Sequence, residues 1–228
     1  MTLFVLKVRV LLYAVCTDGG CSLICMLSVS DAAVYGVTIL NSELFVVRWK
    51  QADCVEVYDA GVSSSFQYLR CMTIIHLQQA TPPAVGRLRS VLSYLTGRRG
   101  SFERPTSSTR ADSLPARLTD ITSCHISSTL YVSDLSNCRI LRLRPEDAAV
   151  MAEWPVEGGA YGLSVTKSGE LVVCCTGSQE LRQYRADGLL LHRVGLPVDC
   201  LQPWHAVQLP SSDRLAVCHG GRYNHNKA

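Results

Sequence analysis

The residues best suited to chemistry lie near the end of the sequence, where two histidines, a cysteine and a tryptophan fall on neighbouring predicted strands. His205 follows Trp204 in the string PWHAV, and Cys218 precedes His219. Imidazole and thiolate groups bind zinc or act as base and nucleophile, so a metal or catalytic pair is one interpretation. A site held to catalytic precision needs more converging groups than these. We therefore interpret them as part of a binding surface.

Other signatures of catalysis are missing from the sequence. No G-x-S-x-G nucleophile motif occurs, the six histidines are dispersed, and the eleven cysteines include no C-x-x-C pair. Asp134, Asp59 and Asp199 could be calcium ligands, but bonding within its own loop is the commoner role for an aspartate such as Asp134. The sequence therefore predicts a protein that is not an enzyme and has no cofactor and no metal.

The cysteines also bear on the cellular compartment. Their number is odd, and Cys174 and Cys175 lie in an apolar run where cysteine acts as a small hydrophobic residue. We interpret the cysteines as reduced and mostly buried, which predicts a cytoplasmic protein. No apolar stretch is long enough to predict a membrane span.

Short strands that would position these side chains recur along the chain. Pairs of apolar residues at i and i+2 occur in SELFVVR, TLYVSD, GELVVCC and DRLAVCH, and the last three lie roughly 40 residues apart. Each pair has further strand-like runs around it, separated by turns such as Asn41-Ser42 and Asp187-Gly188. A four-stranded sheet of this kind has two apolar faces, which neighbouring sheets must cover. The fold class is therefore predicted to be all-β, a β-propeller with one blade per repeat.

One repeat resembles the NHL family. The family pattern has an apolar strand that ends in Val-x-Asp, a short loop and then Asn-x-Arg-Ile. In LYVSDLSNCRILRL, residues 130–143, the polar positions are filled by Asp134, Asn137 and Arg139. The repeat that follows departs from the pattern, because Cys175 stands where an aspartate is expected. The resemblance implies an NHL-type propeller, similar to the C-terminal modules of tripartite-motif proteins, which recruit proteins or RNA.

NHL propellers are generally six-bladed rings, so the resemblance implies an incomplete propeller of about three and a half four-stranded blades. We interpret residues 1–31 as an N-terminal segment that is a strand of a preceding blade, with a signal peptide over residues 1–16 as the alternative. The other predicted segments are a blade at 32–74, a basic insert at 75–117, blades at 118–158 and 159–200, and a partial blade at 201–228.

The predicted insert differs in character from its flanks. It holds seven arginines against one glutamate and one aspartate, and after Pro82-Pro83 its apolar residues follow helical spacing. A short basic helix followed by a polar loop is predicted. Such a segment could meet RNA, an acidic partner or anionic lipid, but a solvated loop is the commoner case.

The predicted function is recognition of a protein or RNA partner by the loop face of a non-catalytic NHL-like propeller. Open blade edges also predict self-association. The alternatives are a remnant of a metal-dependent propeller enzyme of the lactonase or amidating-lyase type, and an incomplete fragment without independent function. The candidate partner-binding residues are Arg48, Lys50, Asn137, Arg139, Tyr161, Trp204, His205 and Arg222.

Overall fold

The described part of the chain consists of strands and turns. The computed structural model describes residues 2–6, 9–15, 21–28, 34–48, 54–60, 67–74, 116–200, 202–210 and 212–220. The strands are β1 (Thr2–Leu6), β2 (Arg9–Val15), β3 (Cys21–Ser28), β4 (Val34–Leu40), β5 (Glu43–Arg48), β6 (Cys54–Asp59), β7 (Gln67–Thr73), β8 (Leu118–Cys124), β9 (Thr129–Asp134), β10 (Arg139–Leu143), β11 (Val150–Pro155), β12 (Ala160–Val165), β13 (Leu171–Cys175), β14 (Glu180–Tyr184), β15 (Leu190–Gly195), β16 (Pro203–Gln208) and β17 (Leu215–His219). Within these ranges, no helix could cross a membrane.

The strands form five antiparallel sheets, each built from strands consecutive in the chain. Their members are β1–β3 (blade 1), β4–β7 (blade 2), β8–β11 (blade 3), β12–β15 (blade 4) and β16–β17 (blade 5). The first strand of each sheet lies beside the first strand of the next, so that β1, β4, β8, β12 and β16 follow one another in space. Meanders arranged in this way are the blades of a β-propeller. The set of blades is consistent with an incomplete propeller.

Apolar side chains fill the space between blades. Phe45 and Val57 of blade 2 pack with Leu130 and Leu141 of blade 3. The opposite face of blade 3 packs on blade 4, and the far face of blade 4 packs on blade 5. Strands β5, β9 and β13 are therefore buried on both faces, which explains why each has at least three consecutive apolar residues.

Several hairpins follow the predicted turns. Asn41 and Ser42 form the two-residue connection between β4 and β5, both with positive φ, as tight hairpins require. Gly169 and Gly188 also have positive φ in the turns before β13 and β15. Local sequence is sufficient to define these connections.

The segment before residue 32, expected to be a strand of a preceding blade, forms the three strands of blade 1. One expectation needs correction. The cysteines were expected to be reduced, but Cys54 and Cys71 form a disulfide between β6 and β7. That prediction was wrong because the pairing depends on strand register, which spacing along the chain does not reveal. The predicted basic helix lies outside the described residues.

Candidate binding groove

A β-bulge recurs near the start of the first strand in blades 2 to 5. Strand pairing shifts there by one residue in β4, β8, β12 and β16. A bulge bends the strand and redirects its side chains. The residues at this place are Tyr35-Gly36, Thr119-Asp120, Tyr161-Gly162 and Trp204-His205.

These four dipeptides line one cavity, the inner groove. Its volume is about 370 Å³, and Val37 completes its lining. Since one dipeptide comes from each of four blades, the inner groove exists only when the blades are assembled. A concave site of this size with aromatic walls and a few polar groups suits a ligand or a short segment of a partner.

Asp120 links three blades at the base of the inner groove. Its Oδ2 accepts a hydrogen bond from the Leu163 backbone N–H of blade 4 at 2.8 Å. The same oxygen lies 3.3 Å from Nδ1 of His205 in blade 5. Its Oδ1 accepts from the Ile121 backbone N–H at 2.8 Å. The hydrogen bond between His205 and Asp120 raises the pKa of His205. The side chain of His205 is 43% exposed.

Two glycines allow the first strands to approach so closely. A Cβ atom on Gly36 would lie 2.5 Å from Oδ1 of Asp120, and one on Gly162 would lie 2.1 Å from the backbone oxygen of Trp204. Neither gap leaves room for a side chain. Because the two glycines have no side chain, the first strands lie close enough to bring Asp120 and His205 together.

An aromatic pair forms one wall of the groove. The rings of Tyr161 and Trp204 meet edge to face, with centroids 4.8 Å apart. Nε1 of Trp204 donates a hydrogen bond to the backbone oxygen of Gly220 at 3.0 Å. This bond and the ring contact orient the indole toward the neighbouring blade.

Three predicted partner-binding residues, Tyr161, Trp204 and His205, come together in the inner groove. Arg48 lies elsewhere, where its Nε donates to Glu56 at 2.8 Å. Lys50 and Arg222 lie outside the described residues.

Asn137 and Arg139 form a network around the buried Asp134. Nδ2 of Asn137 and Nε of Arg139 both donate to Oδ2 of Asp134, at 2.7 and 3.0 Å. Arg139 also donates to Glu153 at 2.8 Å. The prediction that Asp134 bonds within its own loop is confirmed, and the binding roles of Asn137 and Arg139 stay predictions. Among the described residues, no group of three or more His, Cys, Asp or Glu side chains could hold a metal ion.

Sequence reasoning missed Tyr35, Thr119 and Asp120. All three lie in strands that were aligned as repeats, at the two positions that carry Tyr161-Gly162 in blade 4. Comparing this pair of positions between repeats would have identified them, since the first position holds an aromatic residue in three blades and Asp120 stands where blades 2 and 4 have glycine.

Comparison with solved structures supports the fold alone. The β-propeller domain of Cps50 (Swd1) from Myceliophteria thermophila matches 97% of this chain and 63% of its own, with a TM-score of 0.60 and 15% identity. The WD40 β-propeller domain of Doa1 matches 94% of this chain and 58% of its own, with a TM-score of 0.55 and 11% identity. Virginiamycin B lyase from Staphylococcus aureus matches 83% and 50%, with a TM-score of 0.51 and 12% identity.

The chain spans between half and two thirds of the length of these structures. No protein-family model matches the sequence, and no curated protein is similar to it. The β-propeller fold is thus established by its neighbours, which include both a WD40 domain and an enzyme.

Proposed function

We propose that this chain is an NHL-type β-propeller that binds an extended segment of a protein partner in the inner groove, without catalysing a reaction. The observation that carries the proposal is the edge-to-face pair of Tyr161 and Trp204 beside the Asp120–His205 pair. Tyrosine and tryptophan are the usual anchors of protein interfaces, because they contribute large apolar contacts together with a polar group.

Charge favours a protein segment over RNA as the partner. The inner groove contains the carboxylate of Asp120, which would repel phosphates. Arg48 and Arg139, which could have met a nucleic acid backbone, are engaged in ion pairs within their own blades. RNA binding through Lys50 and Arg222 is the competing outcome of the test.

An enzymatic role is the second candidate function. A histidine whose Nδ1 faces a buried carboxylate is an arrangement used for general bases, and His205 faces Asp120 in this way. A lactonase-like or amidating-lyase-like remnant would need a metal, so elemental analysis of the purified chain distinguishes the candidates. About one calcium or zinc per chain would favour the enzyme.

The binding proposal is tested by selecting peptides from a random display library on the purified chain. Trp204→Ala should weaken the selected peptides at least tenfold, because it removes a wall of the groove. Tyr68→Ala is the matched control, since Tyr68 is an exposed aromatic residue on the outer strand β7. Equal binding by Trp204→Ala and wild type, or tight binding of a single-stranded RNA oligonucleotide in place of peptides, would overturn the proposal.

A cytoplasmic location and self-association through open blade edges are also part of the proposed function. The free cysteines of blades 3 to 5 support the first, whereas the Cys54–Cys71 disulfide is more typical of an oxidising compartment. Labelling of free thiols in cell extracts tests the location. Light scattering over a range of concentrations tests the self-association.

A further inference from the structure

A second cavity, the outer cleft, lies between blades 3 and 4. Its volume is about 350 Å³. Trp154 of β11 and Tyr184 of β14 form aromatic walls, and Arg182 of β14 and Arg193 of β15 contribute guanidinium groups. The outer cleft shares no lining residue with the inner groove.

The two arginines are placed directly opposite each other in the β14–β15 register. Like charges in this position destabilise a strand pair. Arg182 is only 3% exposed, and its Nε donates to Glu180 at 3.0 Å. Among the described residues, no salt bridge involves Arg193, which is exposed. Glu180 is thus paired with Arg182, and Arg193 adds a second positive charge opposite it, which leaves a site for an anion.

The position of Arg182 is buried in three blades but differs in charge among them. In blade 4 Arg182 pairs with Val173, and the equivalent pair in blade 3 is Val132 with the fully buried Leu141. In blade 2 the position holds the buried Glu56, which forms a salt bridge with Arg48. Blade 4 alone among these three places a cation there, and burying a guanidinium is costly.

One hydrogen-bond donor in the wall of the outer cleft is unsatisfied. Nε1 of Trp154, whose indole lines the outer cleft, is buried and has no hydrogen-bond partner. A buried donor without an acceptor costs free energy, so the wall favours a ligand that supplies oxygen atoms. Glu157, exposed and also in the lining, disfavours ligands with several negative charges.

We propose that the outer cleft binds a small organic acid, with its carboxylate between Arg182 and Arg193 and its apolar part against Trp154 and Tyr184. A guanidinium matches a carboxylate through paired hydrogen bonds. A cavity of this size with two aromatic walls accommodates a ring. This site is independent of the proposed partner binding in the inner groove.

Calorimetric titration with benzoate tests the proposal, with benzyl alcohol as the neutral analogue and inorganic phosphate as the anion without a ring. Benzoate should bind at millimolar concentration, and at least tenfold more tightly than benzyl alcohol or phosphate. Arg193→Ala should weaken benzoate at least tenfold. Arg185→Ala is the matched control, because Arg185 is an exposed arginine already paired with Asp187; it should bind benzoate like wild type.

A second variant, Arg182→Leu, introduces the side chain that blade 3 carries at this position. It should also lose benzoate binding at least tenfold while its circular dichroism spectrum stays that of wild type. Should it fail to fold, the Arg193→Ala result decides alone. Failure of wild type to bind benzoate, or undiminished binding by Arg193→Ala, would overturn the proposal.

Discussion

In blade 2 and in blade 4 an arginine interacts with a glutamate and a tyrosine of its own sheet, but the two networks differ in their balance of charge. In blade 2, Arg48 donates to both Glu56 and Tyr58, and Tyr58 donates to Glu56 at 2.7 Å, so three groups satisfy one another. In blade 4, Arg182 has a similar pair of neighbours in Glu180 and Tyr184, but it also faces Arg193 across the sheet. The network in blade 2, in which every charge is paired, stabilises its blade. The network in blade 4 has an additional positive charge and is suited to binding an anionic ligand.

The largest expected effect comes from breaking the network in blade 2. Glu56→Gln leaves Arg48 buried beside a neutral amide, and we expect it to destabilise the protein by about 3 kcal/mol. Glu180→Gln is the matched variant in blade 4, and a loss of about 1 kcal/mol or less is expected because Glu180 is 26% exposed. Urea denaturation measures both. Equal losses would show that the two networks do not differ as described.

Replacing Arg182 by leucine should change stability by no more than about 1 kcal/mol, because it removes a buried guanidinium and the carboxylate left behind, Glu180, is 26% exposed and can be hydrated. The substitution also removes the repulsion from Arg193. The same urea denaturation measures the change. A loss of stability as large as that caused by Glu56→Gln would mean that Arg182 contributes as much to stability as the Arg48 network does.

Alkaline pH should affect blade 2 through Tyr58. Burial, followed by the hydrogen bond with Glu56, raises the pKa of Tyr58 to about 12. The folded state therefore holds the phenolic proton more tightly than the unfolded chain, whose pKa is near 10. This contribution to stability is present below pH 10 and is lost as the pH rises toward 12. Denaturation midpoints should fall more steeply over this range in wild type than in Tyr58→Phe; parallel curves would contradict the assignment.

The smallest expected effect concerns the partly exposed His205 and its buried partner Asp120 in the inner groove. Because Asp120 raises the pKa of His205, the pair stabilises the fold fully below about pH 6.5, the ordinary value for histidine, and less as the pH rises through the raised value. Exposure of the imidazole limits the effect to less than about 1 kcal/mol. NMR titration of His205 should show the raised pKa, and Asp120→Asn should return it toward the ordinary value. An unchanged pKa of His205 in Asp120→Asn would show that Asp120 does not raise it.

Local patterns predicted the parts of the fold that depend on neighbours in sequence. The Asn41-Ser42 turn and the bonding of Asp134 within its loop follow from backbone preferences over a few residues. The propeller itself was predicted because apolar strands of blade length repeat. Each of these signals is contained within one blade.

The features that sequence analysis missed connect different strands or blades. The Asp120–His205 contact joins residues 85 positions apart through two glycines, and the facing of Arg182 and Arg193 depends on exact register. Strand register is set by the packing of whole sheets, and the sequence of a single repeat does not contain that information.

The direct contact of β4 and β5 with β8 has a consequence for the chain between them. Blades 2 and 3 are direct neighbours, although β7 and β8 are far apart in the sequence. The entropy of closing a loop grows only with the logarithm of its length, by about 0.6 kcal/mol for each doubling. This junction is therefore a position where the chain can gain or lose sequence, or be reopened to create new termini, at little thermodynamic expense.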